Sequence, residues 1–451
     1  MVVFNNYLKN GQIYLILLGV LIGGIFLKIV MAPVVLLLMF LFWRNDRWTE
    51  MLLLFVTILI MSDSLVDSLT WVKSFKNLLI LEVSAFFFID RRKFEPINQL
   101  FLKFLPYIVI AFIALYASVN VVTGFMKGVS YLLLFIVVPN IVSYCYREYK
   151  KTFVEDIVSF CLFVVLISVA FRFVLPGIAI SDGHGGRMQG VFGNPNGLGL
   201  FVILVFILYH IARKKFDLKL NIIETVFFYG IILLCAMWSG SRNCLMSILM
   251  FVVLNQVFRY SNFLGLIFFA FGMIYFDTII NLVIEGVQSF GLGESLRVEN
   301  ITEGSGRLIA WKFAWDKIQE YYLLGRGFSY DVDLMRANFD RLSRLGHEGG
   351  VHNSYLILWL NAGLIGLVAF FRGFFLLFIG ASKNTYFALP FMFAVLTSIT
   401  FEPWITASLN PLTIIFLIIS TLILYHLNPI NEEDSIKDEE ENEIKLESYN
   451  A

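Results

Sequence analysis

The chain carries little charge for its length. Asp, Glu, Lys and Arg make up only 15% of 451 residues while 59% are hydrophobic. With a positive mean hydropathy, that balance excludes a soluble globular protein. Short alternating strands of the kind that build a membrane barrel are lacking too, which excludes that architecture. There is no glycine-rich phosphate loop, no long linker and no repeat of fixed period, so no nucleotide cofactor and no nucleic-acid partner is expected. The four cysteines, Cys145, Cys161, Cys235 and Cys244, fall in or beside apolar runs without metal-ligand spacing. They read as packing residues, and the polar loops contain no disulfide framework.

What is present is a succession of apolar runs. Runs of roughly 17 to 25 residues satisfy their own backbone hydrogen bonds as helices, which is the requirement for crossing lipid. Candidate spans fall at about 13–30, 33–43, 50–66, 76–89, 104–122, 128–146, 153–175, 197–212, 222–238, 242–258, 262–282, 353–380, 385–400 and 409–427. The second is short, so the expected total is about 12 to 14 transmembrane helices, and the fold class is an all-α polytopic membrane protein. Ile13 to Val30 has no small-residue cleavage pattern and leads into further spans, so it reads as the first helix.

Under alternation, Arg44, Arg47, Arg91, Arg92, Lys93, Lys103, Arg147, Lys150, Lys151, Arg213, Lys214, Lys215, Lys219 and Arg259 share one side. Short basic loops face the cytoplasm, so both termini are expected inside. Residues 182–196, 239–242 and the polar stretch 283–352 then share the outer side. That stretch forms one large extracytoplasmic loop with short helices, and the expected organisation is a membrane domain over 1–427 that includes it. Residues 428–451, with nine acidic side chains against Lys437 and Lys445, read as a disordered cytoplasmic tail.

Chemistry-bearing residues concentrate on that outer side. Arg187 precedes Gly193-Asn194-Pro195-Asn196-Gly197, where the asparagines can cap the following helix and the glycines allow close backbone approach. Ser239-Gly240-Ser241-Arg242 is a tight turn that pins a permanently charged planar fork at the membrane boundary, suited to a phosphate and equally to lipid headgroups. Ser305 can cap a lobe helix that Arg307 opens, in which Leu308, Trp311, Trp315, Ile318 and Tyr322 recur at helical spacing up to Gly325. Each aromatic reads as packing against the bundle, and the helix as a whole suits the bilayer interface. His347 and His352, the latter followed by Asn353 and Tyr355, can accept a proton near neutral pH. The pair has too few carboxylate neighbours for a metal site. His184 lies among glycines and is a weaker candidate.

In order, Arg187-x-x-Gly-x-Phe-x-Asn-Pro-Asn, Ser239-Gly-Ser-Arg242, Ser305-Gly-Arg307 with Trp311, Gly325-x-Gly327 and His352-Asn-x-Tyr followed by Gly363-Leu-Ile-Gly366 resemble the O-antigen ligase and Wzy-type polysaccharide polymerase superfamily. The resemblance covers roughly residues 180 to 400 and the overall topology. It implies a membrane glycosyltransferase of the GT-C type in the bacterial cytoplasmic membrane, with no cofactor and no metal. The donor would be a glycan on undecaprenyl diphosphate, and a flippase and chain-length regulator would be its pathway partners. By the same resemblance, Arg187 and Arg242 would grip the diphosphate and Arg307 would assist there or at the glycan. His352 would be the base, with His347 as the alternative, and Asn194, Asn196, Asn353 and Tyr355 would contact substrate.

Two activities fit this pattern: polymerisation of lipid-linked repeat units, which is preferred on family frequency, and ligation of finished glycan to lipid A core or another acceptor. A flippase or secondary transporter is the competing class, although transporters concentrate charge near the midplane and show paired halves. Glu82, within a span, and Glu402, beside Pro403 at an outer helix end, are read as buried structural partners. A scaffold without catalysis is the remaining option.

Overall fold

The computed structural model describes residues 2–275, 307–347 and 349–425, together with Leu282, Glu285 and Ser289. Ser305, Glu348 and the acidic tail lie outside the described residues. A helix occupies each of the fourteen stretches read as spans: Gly11–Leu27, Met31–Arg44, Trp48–Asp63, Thr70–Ile89, Leu100–Ile113, Val121–Tyr149, Lys151–Val174, Pro195–Lys215, Ile222–Ser239, Arg242–Phe258, Asn262–Ile274, Ser354–Ser382, Ala388–Phe401 and Pro411–Leu424. Seven described segments are long and apolar enough to cross a membrane, and four more apolar helices are shorter. The protein is an all-α polytopic membrane protein. A short helix, Val2–Lys9, comes before the segment read as the first. The apolar segment Gly11–Arg44 divides at Lys28, whose φ of 55° ends one helix before the next begins.

Local sequence sets where helices start. Those opening at Pro195, Ile222, Arg242, Ser354 and Pro411 each follow a side-chain cap, respectively Asn194, Asn221, Ser241, Asn353 and Asn410. At one end of the bundle the polar loops tie together through charged side chains. Lys93 Nζ lies 3.0 Å from Asp46 and 3.3 Å from Asp90, Arg147 donates to the carbonyls of Lys93 and Glu95, and Lys215 donates to those of Leu422, Ile423 and Tyr425. Asp46, released here from the apolar interior, has its carboxyl held below the ordinary range: burial opposes this, and hydrogen bonds from Lys93, Tyr144 and Trp48 outweigh it. The candidate site residues lie at the other helix ends.

Part of the polar stretch forms a lobe with its own small core. Its first described helix, Arg307–Glu320, buries Ala310, Ala314 and Ile318, and these pack with Tyr330, Leu334 and Leu342 against Ile357 and Leu360 of the Ser354–Ser382 helix. The buried face therefore consists of Ala310, Ala314 and Ile318, four apart; of the predicted stripe, Ile318 lies on it and Trp311 packs against it, while the other members are exposed. Trp315 and Tyr322 close their rings on Trp359 while remaining 44% and 38% exposed, and Leu308 is 54% exposed. Trp311 is fixed through its indole N–H, which donates to the Val351 carbonyl at 3.0 Å.

The lobe docks through a break in a membrane helix. The stretch read as one continuous span leaves helical geometry at Gly363, where φ is 67°. Breaking a helix inside the bundle frees backbone groups that lipid cannot satisfy. Here the 322–327 turn satisfies them: Arg326 and Gly327 N–H donate to the carbonyls of Leu360 and Asn361, while Leu364 and Ile365 N–H donate to those of Tyr322 and Leu323. Asn361 and Asp331 add a reciprocal pair. A side chain at Gly363 would meet the Leu323 backbone, and one at Gly325 would meet the backbone of 361–363. That close crossing explains why both motifs contain glycine.

Gly363→Ala should therefore lower the thermal midpoint of the detergent-solubilised protein, with about 1–2 kcal/mol lost to the left-handed backbone alone. Gly230→Ala, inside the Ile222–Ser239 helix where an added Cβ meets nothing within 4 Å, is the control and should melt at or slightly above the parent protein. Equal melting of both variants would show that the crossing does not hold the lobe.

Candidate active site

Four separate chain segments meet at one carboxylate. Ala388–Phe401 ends at Glu402, because Pro403 disfavours helical geometry in the residue before it. The Glu402 side chain turns inward and the residue is only 6% exposed. Its Oε1 accepts from Asn196 Nδ2 and from Arg307, each at 2.7 Å, and its Oε2 lies 3.4 Å from His352 Nδ1. Its backbone carbonyl accepts the Ser354 hydroxyl at 3.0 Å.

Arg187 joins the network through Asn196. A two-residue antiparallel ladder, Ile180–Ser181 with Arg187–Met188, holds the arginine in register, and a turn with positive φ at Gly185 and Gly186 closes it. Arg187 Nε donates to the Ser239 carbonyl at 2.6 Å and its terminal nitrogen donates to Asn196 Oδ1 at 2.9 Å. This joins the arginine to the Ser239-Gly240-Ser241-Arg242 turn, where a Cβ on Gly240 would lie 3.1 Å from Arg187 Nε. Arg242 is half-buried at the first residue of its helix, two positions beyond that contact.

The remaining predicted site residues divide between network and scaffold. Arg307, the first described residue of the lobe helix, forms an ion pair with Glu402 in which both side chains are largely buried. His352 sits at φ 49° with its side chain 34% exposed, directly before the Asn353 cap of the Ser354–Ser382 helix. His347 is 5% exposed, its Nε2 is 3.0 Å from the Gly350 carbonyl, and its ring lies 6.3 Å from that of His352. Asn194 and Asn353 each accept an N–H at the start of their own helices, as caps. The Tyr355 hydroxyl donates to the Leu396 carbonyl at 3.2 Å and its ring stacks on Phe371. His184 closes a short 3-10 turn at 182–184. Among the described residues, no group of three or more His, Cys, Asp and Glu side chains comes together in a way that would hold a metal ion.

Glu402 is the residue that sequence reasoning left at the margin. An acid followed by proline at a helix end was visible, but its partners lie 206, 95 and 50 positions away. The connected set carries two guanidinium groups against one carboxylate, so it is cationic overall and suited to a phosphate group. An imidazole stands at its edge, about a third open to solvent.

No curated protein matches the chain. Residues 226–371 match the family model described as O-Antigen ligase, a segment that contains Arg242, Arg307, His347 and His352 and excludes Arg187, Asn196 and Glu402. Over that segment, 146 of the 451 residues, the chain is similar to the O-antigen ligase family, in line with the resemblance carried by its motifs.

Proposed function

We propose that this protein transfers a glycan from undecaprenyl diphosphate to a sugar hydroxyl at the outer face of the cytoplasmic membrane, acting as a polymerase of lipid-linked repeat units. The hydrogen-bonded path from Arg187 through Asn196 and Glu402 to Arg307 and His352 carries this reading. It places cationic donors and a proton acceptor within one connected set, as displacement of a diphosphate by an alcohol requires.

The chemistry follows from the positions. Glu402 faces Nδ1 of His352, which favours the tautomer protonated there and leaves Nε2 to take the acceptor proton. The separation of 3.4 Å is long for a hydrogen bond, as base contacts often are before substrate closes a site. The acceptor oxygen bonds to the anomeric carbon as the bond from that carbon to the diphosphate oxygen breaks. The configuration inverts, and the electron pair leaves on the diphosphate. Arg187, Arg242 and Arg307 would stabilise that charge as it grows. The same machinery serves a ligase, and only the acceptor differs.

The purified protein, given one defined undecaprenyl-diphosphate-linked repeat unit, should form a ladder of longer glycans and release undecaprenyl diphosphate. A single transfer to lipid A core with no ladder would establish ligation instead, and transport across a vesicle without a new glycosidic bond would end the enzymatic reading. His352→Ala should lower turnover by about 10²- to 10⁴-fold with its melting unchanged. Full activity in that variant would remove the proposed base.

The two arginines have separate tests. Arg187→Lys and Arg242→Lys should each raise the donor KM, since a point charge replaces a two-pronged donor. Unchanged kinetics would reduce both to headgroup anchors. Glu402→Gln keeps the shape of the hub while removing its charge from Arg307, and should cost about 1.5–3 kcal/mol of stability together with activity. If neither changes, the carboxylate does not organise the site.

A further inference from the structure

A second cationic cluster lies in the N-terminal half, outside the residues that match the family. Lys73 and Lys76 are three positions apart on the Thr70–Ile89 helix and so share a face. Lys127 lies on Val121–Tyr149, which packs against that helix. Lys76 and Lys127 each sit six residues inside their helix starts, roughly 9 Å along the axis. One carboxylate accompanies them: Asp63, at the end of Trp48–Asp63, whose charge reaches Lys73 and Lys76 while Lys76 also feels Lys127. Three lysines accompany one carboxyl group there, an excess of basic side chains in an apolar bundle.

The contacts within the cluster do not neutralise that excess. Lys76 Nζ donates to the Leu409 carbonyl at 3.0 Å, and Asp63 accepts the Gly193 N–H at 3.2 Å. Among the described residues, Lys73 and Lys127 form neither a hydrogen bond nor an ion pair. Charges at membrane depth are costly unless an opposite charge joins them.

The cluster is also tied to the reacting residues. Tyr131, one turn beyond Lys127, donates to the Ile405 carbonyl at 3.1 Å, and Lys76 holds Leu409, so both helices grip the segment that leads away from Glu402. Leu409 lies seven positions after Glu402, a stretch that can span at most roughly 25 Å. Gly193, held by Asp63, directly precedes the Asn194-Pro195-Asn196 turn.

We infer that Lys73, Lys76 and Lys127 bind the phosphate of a second lipid, the one carrying the acceptor sugar, beside the arginine-held donor. The inference rests on the proposed glycan transfer, which brings two lipid-anchored substrates to one site and so needs two anion-binding positions. Lysine suits the task as a mobile point charge for a headgroup that must enter and leave.

Binding can be counted without turnover, so its failure is separable from failure of the catalytic reading. The full-length protein in nanodiscs of neutral lipid is titrated with undecaprenyl diphosphate, undecaprenyl monophosphate, lipid A or phosphatidylglycerol, and bound lipid is counted by native mass spectrometry. The variant Lys73→Gln/Lys127→Gln removes two charges that make no hydrogen bond or ion pair among the described residues and leaves the Lys76 contact in place.

The wild-type protein should take two undecaprenyl diphosphates, or one together with one lipid A. The double variant should lose the second lipid by roughly tenfold or more in affinity, while Arg187→Lys weakens the first. Loss of lipid A alone supports a glycolipid acceptor, and loss of the second polyprenyl lipid supports a repeat-unit acceptor. Unaltered binding of all four lipids by the double variant overturns the inference. An equal loss for phosphatidylglycerol also overturns it, since the lysines are then general headgroup anchors.

Discussion

The site depends on one buried carboxylate having its charge matched. Glu402 sits at the end of an apolar helix, where an unpaired anion would cost several kcal/mol, and it is accommodated because Arg307 and Asn196 both donate to Oε1. Each partner comes from a different part of the chain. The requirement to neutralise one charge therefore draws the Arg187 hairpin, the Pro195–Lys215 helix start, the lobe and the entry to Ser354–Ser382 to a common point. With Asn196 as the link, the same constraint orients Arg187 as well.

The lobe reaches this point because a membrane helix is broken to receive it. The helix Arg307–Glu320 places Arg307 beside Glu402, and the loop before Ser354 delivers His352. Both ends are held by the exchange of backbone hydrogen bonds between 322–327 and 360–365. An uninterrupted helix would offer no free carbonyls or amides at that level. Asn196, Arg307 and Glu402 then rest on helix ends, while Arg187 and His352 are carried by a hairpin and a loop.

Much of the architecture was legible in the linear chain. The helices follow from apolar runs, and several of their starts from Asn and Ser caps, because both are local properties of a few consecutive residues. The basic loops are joined at one end of the bundle, as alternation implied. Arg187, Arg307 and His352 were recognisable as candidates, and they fall in one network. The lobe helix was less legible: its aromatic period was clear, but the buried face is Ala310, Ala314 and Ile318. Small side chains permit close approach to another helix, and which face is used depends on the partner. Gly363 was visible as part of a motif, yet the break it makes was not, since a glycine in an apolar run also suits a continuous helix.

From the sequence alone came the membrane class, the order of the helices and the concentration of cationic and imidazole groups at one set of helix ends. These rest on hydrophobicity and period, which act over short stretches. Only the tertiary structure decided that Glu402 is the hub, that Asn194 and Asn353 cap helices while Asn196 bridges two charges, and that Lys76 and Lys127 sit on packed helices around Asp63. Those are pairings across tens to hundreds of residues. They are fixed by the cost of leaving a charge unmatched in an apolar bundle, a quantity that exists only once the chain has folded.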